Sequence, residues 1–290
     1  MIQIVIVKWG TLYDHRHING MIDAIRSHTK VPLRIVAITD EPAGLYDDII
    51  IQSFPDLGLP FHKLTQRSCF GKLAMFSRGI LEPDLPTLFF DLDTAVLGDV
   101  SKLVACMEQK PGIYLTSSQF FQFWKLRPLL RFIAPRSFYR ANSSVVAFYP
   151  RDYYFIADEF RKNIARWLDS SPQNGSPPKI ALGSDDKFIS FVARDSLRVF
   201  PWSIAARFQD TYFGFSPWMS DAIGRLPLVK RTRKTRVALT FMGEFAKPEK
   251  IVSYENGDII RLGALVSRWK FPELKTYWHA ILNWSSSEND

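Results

Sequence analysis

Strand and helix patterns alternate through the first hundred residues, and this alternation constrains the fold more than any other feature of the chain. Residues 2–7 form an apolar run that ends at Lys8-Trp9-Gly10, and residues 33–38 form a second that ends at Thr39-Asp40. Between them Ile18, Met21, Ile22 and Ile25 recur at spacings of three and four, the signature of an amphipathic helix. Residues 49–51 make a short third strand, residues 72–76 read as helical, and residues 88–90 carry a further strand into Asp91-Leu92-Asp93-Thr94. Such an order predicts an α/β fold whose central sheet is mostly parallel, with helices on both faces. In sheets of this kind ligands gather beyond the carboxyl ends of the strands. Lys8, Asp40, Asp91 and Asp93 all fall there.

The aspartate pair is the sharpest chemical signal. If residues 87–94 continue as a strand, Asp91 and Asp93 project from one face. Two carboxylates so placed make a hard oxygen site suited to Mg²⁺ or Mn²⁺ beside a phosphate. A strand running into an Asp-rich turn is the plainer alternative. Farther along, residues 145–149 read as a strand introduced by Asn142-Ser143-Ser144, residues 170–178 as a polar loop, 187–192 as a helix and 237–241 as a late strand. No internal repeat is visible, and the polar tail, 285–290, is expected to fray.

Composition narrows the class. With 47% hydrophobic and 23% charged residues, the 290-residue chain is globular and large enough to bury a substantial core. Cys69 and Cys106 form no disulfide framework, and His15, His17, His28, His62 and His279 lack zinc-ligand spacing. The first residues lack the basic start of a signal peptide, and no run reaches the roughly 20 apolar residues of a membrane span. A reduced cytoplasmic protein is therefore expected. Its net charge of +8 points to anionic partners. No nucleic-acid recognition motif accompanies that charge, so nucleic acid is not expected among them.

Taken in order, Val7-Lys8-Trp9-Gly10, Ile38-Thr39-Asp40, Gly71-Lys72-Leu73-Ala74-Met75-Phe76 and Phe90-Asp91-Leu92-Asp93 resemble nucleotide-sugar glycosyltransferases of the GT-A fold, in particular the bacterial family 8 galactosyl- and glucosyltransferases. Asn142-Ser143-Ser144-Val145 resembles that family's donor-sugar strand, and Gly183-Ser184-Asp185-Asp186 its Gly-Asp-Gln-Asp/Glu block. The stretch from Met242-Gly243 to Lys247-Pro248 resembles its closing His-Gly-Lys-Pro element. The resemblance spans residues 2–250 and implies a transferase domain over 1–250, with residues 251–290 as an extension packed on it or contacting acceptor or membrane.

The resemblance also implies roles. Lys8, Trp9, Gly10, Tyr13 and Asp40 would hold the nucleotide, with Leu92 and Gly243 lining the donor. Asp91 and Asp93 would bind Mn²⁺ or Mg²⁺ bridging the diphosphate of a UDP-sugar, while Lys72 and Lys247 add positive charge. Asn142, Ser143 and Asp185 would hydrogen-bond the sugar, and Asn142, Asp185 and Asp186 form the catalytic set of a retaining hexosyl transfer. Two positions depart from the pattern. Met242 stands where a third metal ligand, His, is usual, and a thioether suits neither metal. Asp186 replaces the usual Gln. The implied acceptor is a glycan or lipid-linked glycan, such as an envelope polysaccharide or lipopolysaccharide core.

Each residue also has an ordinary role: a strand-end lysine at 8, turn chemistry at Asp40, a solvated helix lysine at 72, a helix cap at Asp185-Asp186. Asp91-Leu92-Asp93-Thr94, with Thr116-Ser117, Lys179 and Asp185-Asp186, also resembles haloacid-dehalogenase phosphohydrolases, although their aspartate strand opens the core rather than following some 85 residues. A catalytically inactive GT-A-fold binding protein is the non-enzyme alternative. Finally, residues 118–140 hold five basic residues, seven aromatics and no acid, and residues 225–236 form a second basic stretch. Both are candidates for contact with an anionic membrane surface, which would make the protein peripheral at the inner face of the plasma membrane.

Overall fold

The computed structural model describes residues 1–66, 69–117, 141–169, 183–241, 243–263 and 265–282. The chain opens with β1 (Ile2–Lys8), α1 (His15–His28), β2 (Leu33–Thr39) and β3 (Ile50–Gln52). There follow α2 (Phe61–Gln66), a 3₁₀ segment (Phe70–Phe76), β4 (Thr87–Phe90), β5 (Thr94–Val96), α3 (Ser101–Gln109) and β6 (Ile113–Ser117). The middle of the chain supplies β7 (Ala141–Phe148), α4 (Pro150–Asp169), α5 (Asp185–Val192), β8 (Leu197–Val199) and β9 (Ala205–Arg207). Next come α6 (Phe208–Tyr212), α7 (Pro217–Arg225) and α8 (Pro227–Lys234), then β10 (Ala238–Thr240) and a 3₁₀ turn (Glu244–Ala246). The last elements are α9 (Pro248–Ser253), the hairpin β11 (Ile259–Leu262) and β12 (Leu265–Arg268), and α10 (Pro272–Leu282).

Among the described residues, seven strands make the main sheet, in the order β3-β2-β1-β4-β7-β6-β8. All pairings are parallel except those of β7, which runs antiparallel to both β4 and β6. Alternation along β1 shows why the sheet is buried on both sides. Val5 and Val7 face one core with Phe89, Phe76, Phe148 and Phe160, whereas Ile4 and Ile6 face the other with Ile18, Ile22 and Leu103. The 3₁₀ segment, α4 and α5 cover the first face, and α1 and α3 the second.

A three-stranded sheet, β5-β10-β9, and a third core around Phe208, Phe241, Trp269 and Trp278 complete the interior. Here α10 closes on α1 so tightly that a Cβ on Gly20 would come within 2.8 Å of the Ile281 side chain. Among the described residues no helix is long and apolar enough to cross a membrane.

Several expectations are corrected. Residues 70–76 form a 3₁₀ segment instead of an α-helix, because six of its seven residues are buried and Gly71 is drawn against the Trp9 ring; packing, not propensity, sets this backbone. The strand expected at 237–241 belongs to the small sheet, and β7 begins at Ala141 and ends before Pro150, which opens α4. Asp91 and Asp93 are not on a strand. β4 ends at Phe90, and the Thr94 amide donates to the Asp91 carbonyl at 3.0 Å, so a turn presents both side chains. The stretches 118–140 and 170–178, with Lys179 and Met242, lie outside the described residues.

Candidate active site

The turn after β4 is held from two sides. The Asp91 amide donates to the Ser144 carbonyl at 2.8 Å, and the Phe241 amide donates to the Asp93 carbonyl at 2.9 Å. The main sheet and the small sheet therefore meet at this turn, and each delivers residues to it. From β7, the Ser144 amide donates to the Asn142 side chain at 3.1 Å, fixing the start of the strand beside Asp91. Beyond β10, Gly243 takes a φ of +88°, a conformation that favours glycine, and leads to Lys247.

Lys72 lies at the centre of the charge cluster. Its ammonium pairs with Asp91 at 2.6 Å, with both side chains largely shielded from water. Burial opposes its charge, but the carboxylates of Asp91 and Asp185 outweigh that and hold it protonated well above the usual lysine range. Asp93 behaves in the opposite sense. Burial, reinforced by the neighbouring Asp91, pushes its pKa up to about 7, with Lys72 and Lys247 pulling the other way. Its Oδ1 is buried and has no hydrogen-bond partner among the described residues.

A buried carboxylate oxygen left unpaired is costly, and a cation would satisfy it. Asp91 and Asp93 thus fit a hard divalent ion, with further oxygens required from a ligand and water. No cluster of three His, Cys, Asp or Glu side chains with a metal-holding arrangement occurs among the described residues.

Around this pair sit Tyr13 and Lys247. The Lys247 ammonium lies 5.4 Å from the Tyr13 ring centroid and 3.4 Å from its hydroxyl. Burial, with Asp93 and Asp91 nearby, drives the Tyr13 pKa far up, so the phenol stays neutral and can donate. On the other side of Lys72, the Ser143 hydroxyl donates to Asp185 at 2.5 Å. Burial, more than the adjacent Asp186, raises Asp185 to about 6. Asp186 accepts from the Ser184 hydroxyl at the entrance to α5.

Other expected site residues are placed differently. Lys8 is buried, and its ammonium is taken by Glu41 at 2.6 Å, a partner that sequence reasoning missed although it follows Asp40 directly. Asp40 instead accepts from the Gly10 amide at 3.2 Å. Among the described residues no hydrogen bond or ion pair joins Lys8, Gly10 or Asp40 to Asp91 or Asp93. Trp9 packs edge-on against Phe54, at 6.4 Å between ring centroids. The Leu92 side chain is buried in the core beneath the sheet, which leaves only its main chain for a ligand. A further neighbour that the sequence did not mark is Cys69. It is the one non-glycine residue with positive φ among those described; burial raises its thiol pKa, while Lys72 opposes the rise.

No protein-family model and no curated protein matches the sequence. Solved structures do match the fold. The galactosyltransferase LgtC, determined with donor and acceptor sugar analogs, superposes with a TM-score of 0.55 at 9% identity over 96% of each chain. The glycosyltransferase GlyE of Streptococcus pneumoniae gives 0.53 at 14% identity, over 98% of this chain and 63% of GlyE. The bifunctional glycosyltransferase WbbM gives 0.53 at 13% identity, over 86% of this chain and 47% of WbbM. The chain thus has the GT-A fold of these glycosyltransferases. The likenesses lend nothing to the phosphohydrolase alternative.

Proposed function

We propose that this protein is a glycosyltransferase that moves a hexose from a UDP-sugar to a glycan or glycolipid acceptor, with retention at the sugar carbon. The single observation carrying this reading is the turn at Asp91 and Asp93. There an unpaired, buried carboxylate oxygen meets two lysines and a neutral phenol at the carboxyl edge of a GT-A sheet. Two anionic ligands for a divalent ion beside two ammonium groups suit a diphosphate better than a neutral ligand.

In the transfer, the bond between the sugar carbon and the diphosphate oxygen breaks, a bond to an acceptor hydroxyl oxygen forms, and the hydroxyl's proton passes to the departing diphosphate oxygen. Mn²⁺ or Mg²⁺ held by Asp91 and Asp93 would supply Lewis-acid neutralisation of the leaving diphosphate. Lys72 and Lys247 add fixed positive charge on the same side, and Tyr13 donates a hydrogen bond from a phenol that stays protonated. Asn142, Ser143 and Asp185 orient the donor sugar. Asp185 and Asp186 bring carboxylates to the face where the new bond forms. Trp9, Gly10, Asp40, Gly243 and the Leu92 main chain complete the proposed donor cradle; Lys8 acts through Glu41. We assign residues 1–250 to the transferase domain and 251–290 to an extension, whose described part packs on α1 and β5. Envelope polysaccharide or lipopolysaccharide core synthesis at the inner face of the plasma membrane suits such an enzyme.

Isothermal titration with UDP, with and without Mn²⁺, tests the site. Wild type should bind more tightly with Mn²⁺, and Asp93→Ala should lose that gain. Equal, metal-independent affinity in both proteins would remove the proposed metal site.

A further inference from the structure

Ten large hydrophobic side chains are strongly exposed among the described residues, and four of them fall between positions 215 and 228. Trp218 is 79% exposed, Leu228 75%, Phe215 59% and Leu226 53%. They belong to the run from just before α7 into α8 and take no part in the site described above. Single exposed apolar residues need no explanation, but a cluster on one short segment does.

The same segment is basic, and its charge is sorted by face. Arg233 and Arg236 point inward. The Arg233 guanidinium lies 4.0 Å from the Tyr212 ring centroid and donates to the Thr211 carbonyl at 2.8 Å, and Arg236 donates to the Trp202 carbonyl at 3.1 Å. These contacts pin α8 to the body. Lys230, Arg231 and Lys234 are exposed; Arg231 follows Leu228 by three residues and Lys234 follows Lys230 by four, while Arg225 follows Trp218 by two turns on α7. Among the described residues none of these four cations has an ion-pair partner. No acid occurs from 222 to 243, and the nearest one before it, Asp221, is already shared by Arg268 at 3.3 Å and Lys270 at 3.0 Å.

We propose that the outer face of α7 and α8 docks on an anionic phospholipid surface. The headgroup layer of such a surface offers both things this face lacks: negative charge for the outward cations, and a semi-apolar zone for Trp and Leu. A nucleic acid would answer the cations and leave Trp218, Leu226 and Leu228 in water. The neighbouring hairpin extends the face, because Ile259 is exposed opposite Arg268, the residue that reaches α7 through Asp221. Docking does not depend on which reaction the site performs.

The test is co-sedimentation of the full chain with vesicles of equal parts phosphatidylglycerol and phosphatidylcholine, against phosphatidylcholine alone. Wild type should pellet only with the anionic vesicles, and less so as salt rises. Each cation near an anionic surface contributes roughly fivefold to partitioning, so Lys230→Ser/Arg231→Ser/Lys234→Ser should weaken it about a hundredfold. Trp218→Ser/Leu228→Ser should weaken it at every salt concentration. Both variants change exposed side chains only and should bind UDP as wild type does, which separates loss of docking from loss of the donor site. Failure of wild type to pellet, undiminished pelleting of the triple variant, or binding to a single-stranded oligonucleotide while vesicles are ignored would each overturn the proposal.

Discussion

Asp185 occupies the first turn of α5, is 4% exposed, and donates nothing: it accepts from Ser143 and faces Lys72 across the site. Burial raises its carboxyl from 3.8 to about 6. Between those values the folded chain binds a proton that the unfolded chain has released, so stability falls as pH rises through this window. The full cost, reached above about pH 6, follows from that rise from 3.8 to about 6 and comes to about 3 kcal/mol, at roughly 1.36 kcal/mol per pH unit. An asparagine in its place would keep an oxygen for Ser143 and carry no charge to desolvate. Asp185→Asn should therefore gain stability over wild type progressively from about pH 4 to about pH 6 and hold that gain above it. Urea unfolding of both proteins across this range measures it. The variant should also lose sugar transfer while retaining UDP, a stability gain at the expense of activity. A stability difference that stays constant with pH, or that shrinks as pH rises, would refute the reasoning.

Removing the cation should act oppositely. Lys72→Met leaves Asp91 and Asp185 facing each other without their shared ammonium, and a loss of about 3–5 kcal/mol is expected at neutral pH. Denaturant midpoints should show a smaller loss near pH 4, where Asp185 is already protonated in the folded chain. Gly20→Ala places a methyl 2.8 Å from Ile281 Cγ1 and should cost about 1–3 kcal/mol by prising α10 from α1. The cost should be smaller in an Ile281→Ala background, which a double-mutant cycle in urea reports. Phe160 is fully buried between Phe70, at 4.8 Å, and Phe188, at 5.3 Å. Phe160→Ala should lose about 3–5 kcal/mol and weaken UDP binding as well, because those rings seat the segments bearing Lys72 and Asp185.

Much of the architecture was legible along the chain because β1, β2 and β4 announce themselves locally. A strand buried on both faces needs an unbroken apolar run, and a helix lying on such a sheet needs apolar residues at three- and four-residue spacings. Both patterns are written in consecutive residues. Hence the α/β class and the ends of these strands could be read without coordinates. The departure at the aspartates is local too: Asp91 and Asp93 follow an apolar strand directly, yet the backbone turns after Phe90 and strand alternation stops there.

Only the tertiary structure decided how those strand ends are used. That Lys8 spends its charge on Glu41, that Lys72 rather than Lys8 neutralises Asp91, and that Lys247 reaches Tyr13 from 234 residues away all depend on which segments the fold juxtaposes. The same holds for acidity. Asp93 and Asp185 are ordinary aspartates in the sequence, and burial beside particular neighbours raises the pKa of both. The sorting of Arg233 inward and Arg231 outward on one short helix is likewise invisible in composition. Periodic burial is a property of neighbours in sequence, whereas charge pairing and desolvation are properties of neighbours in space.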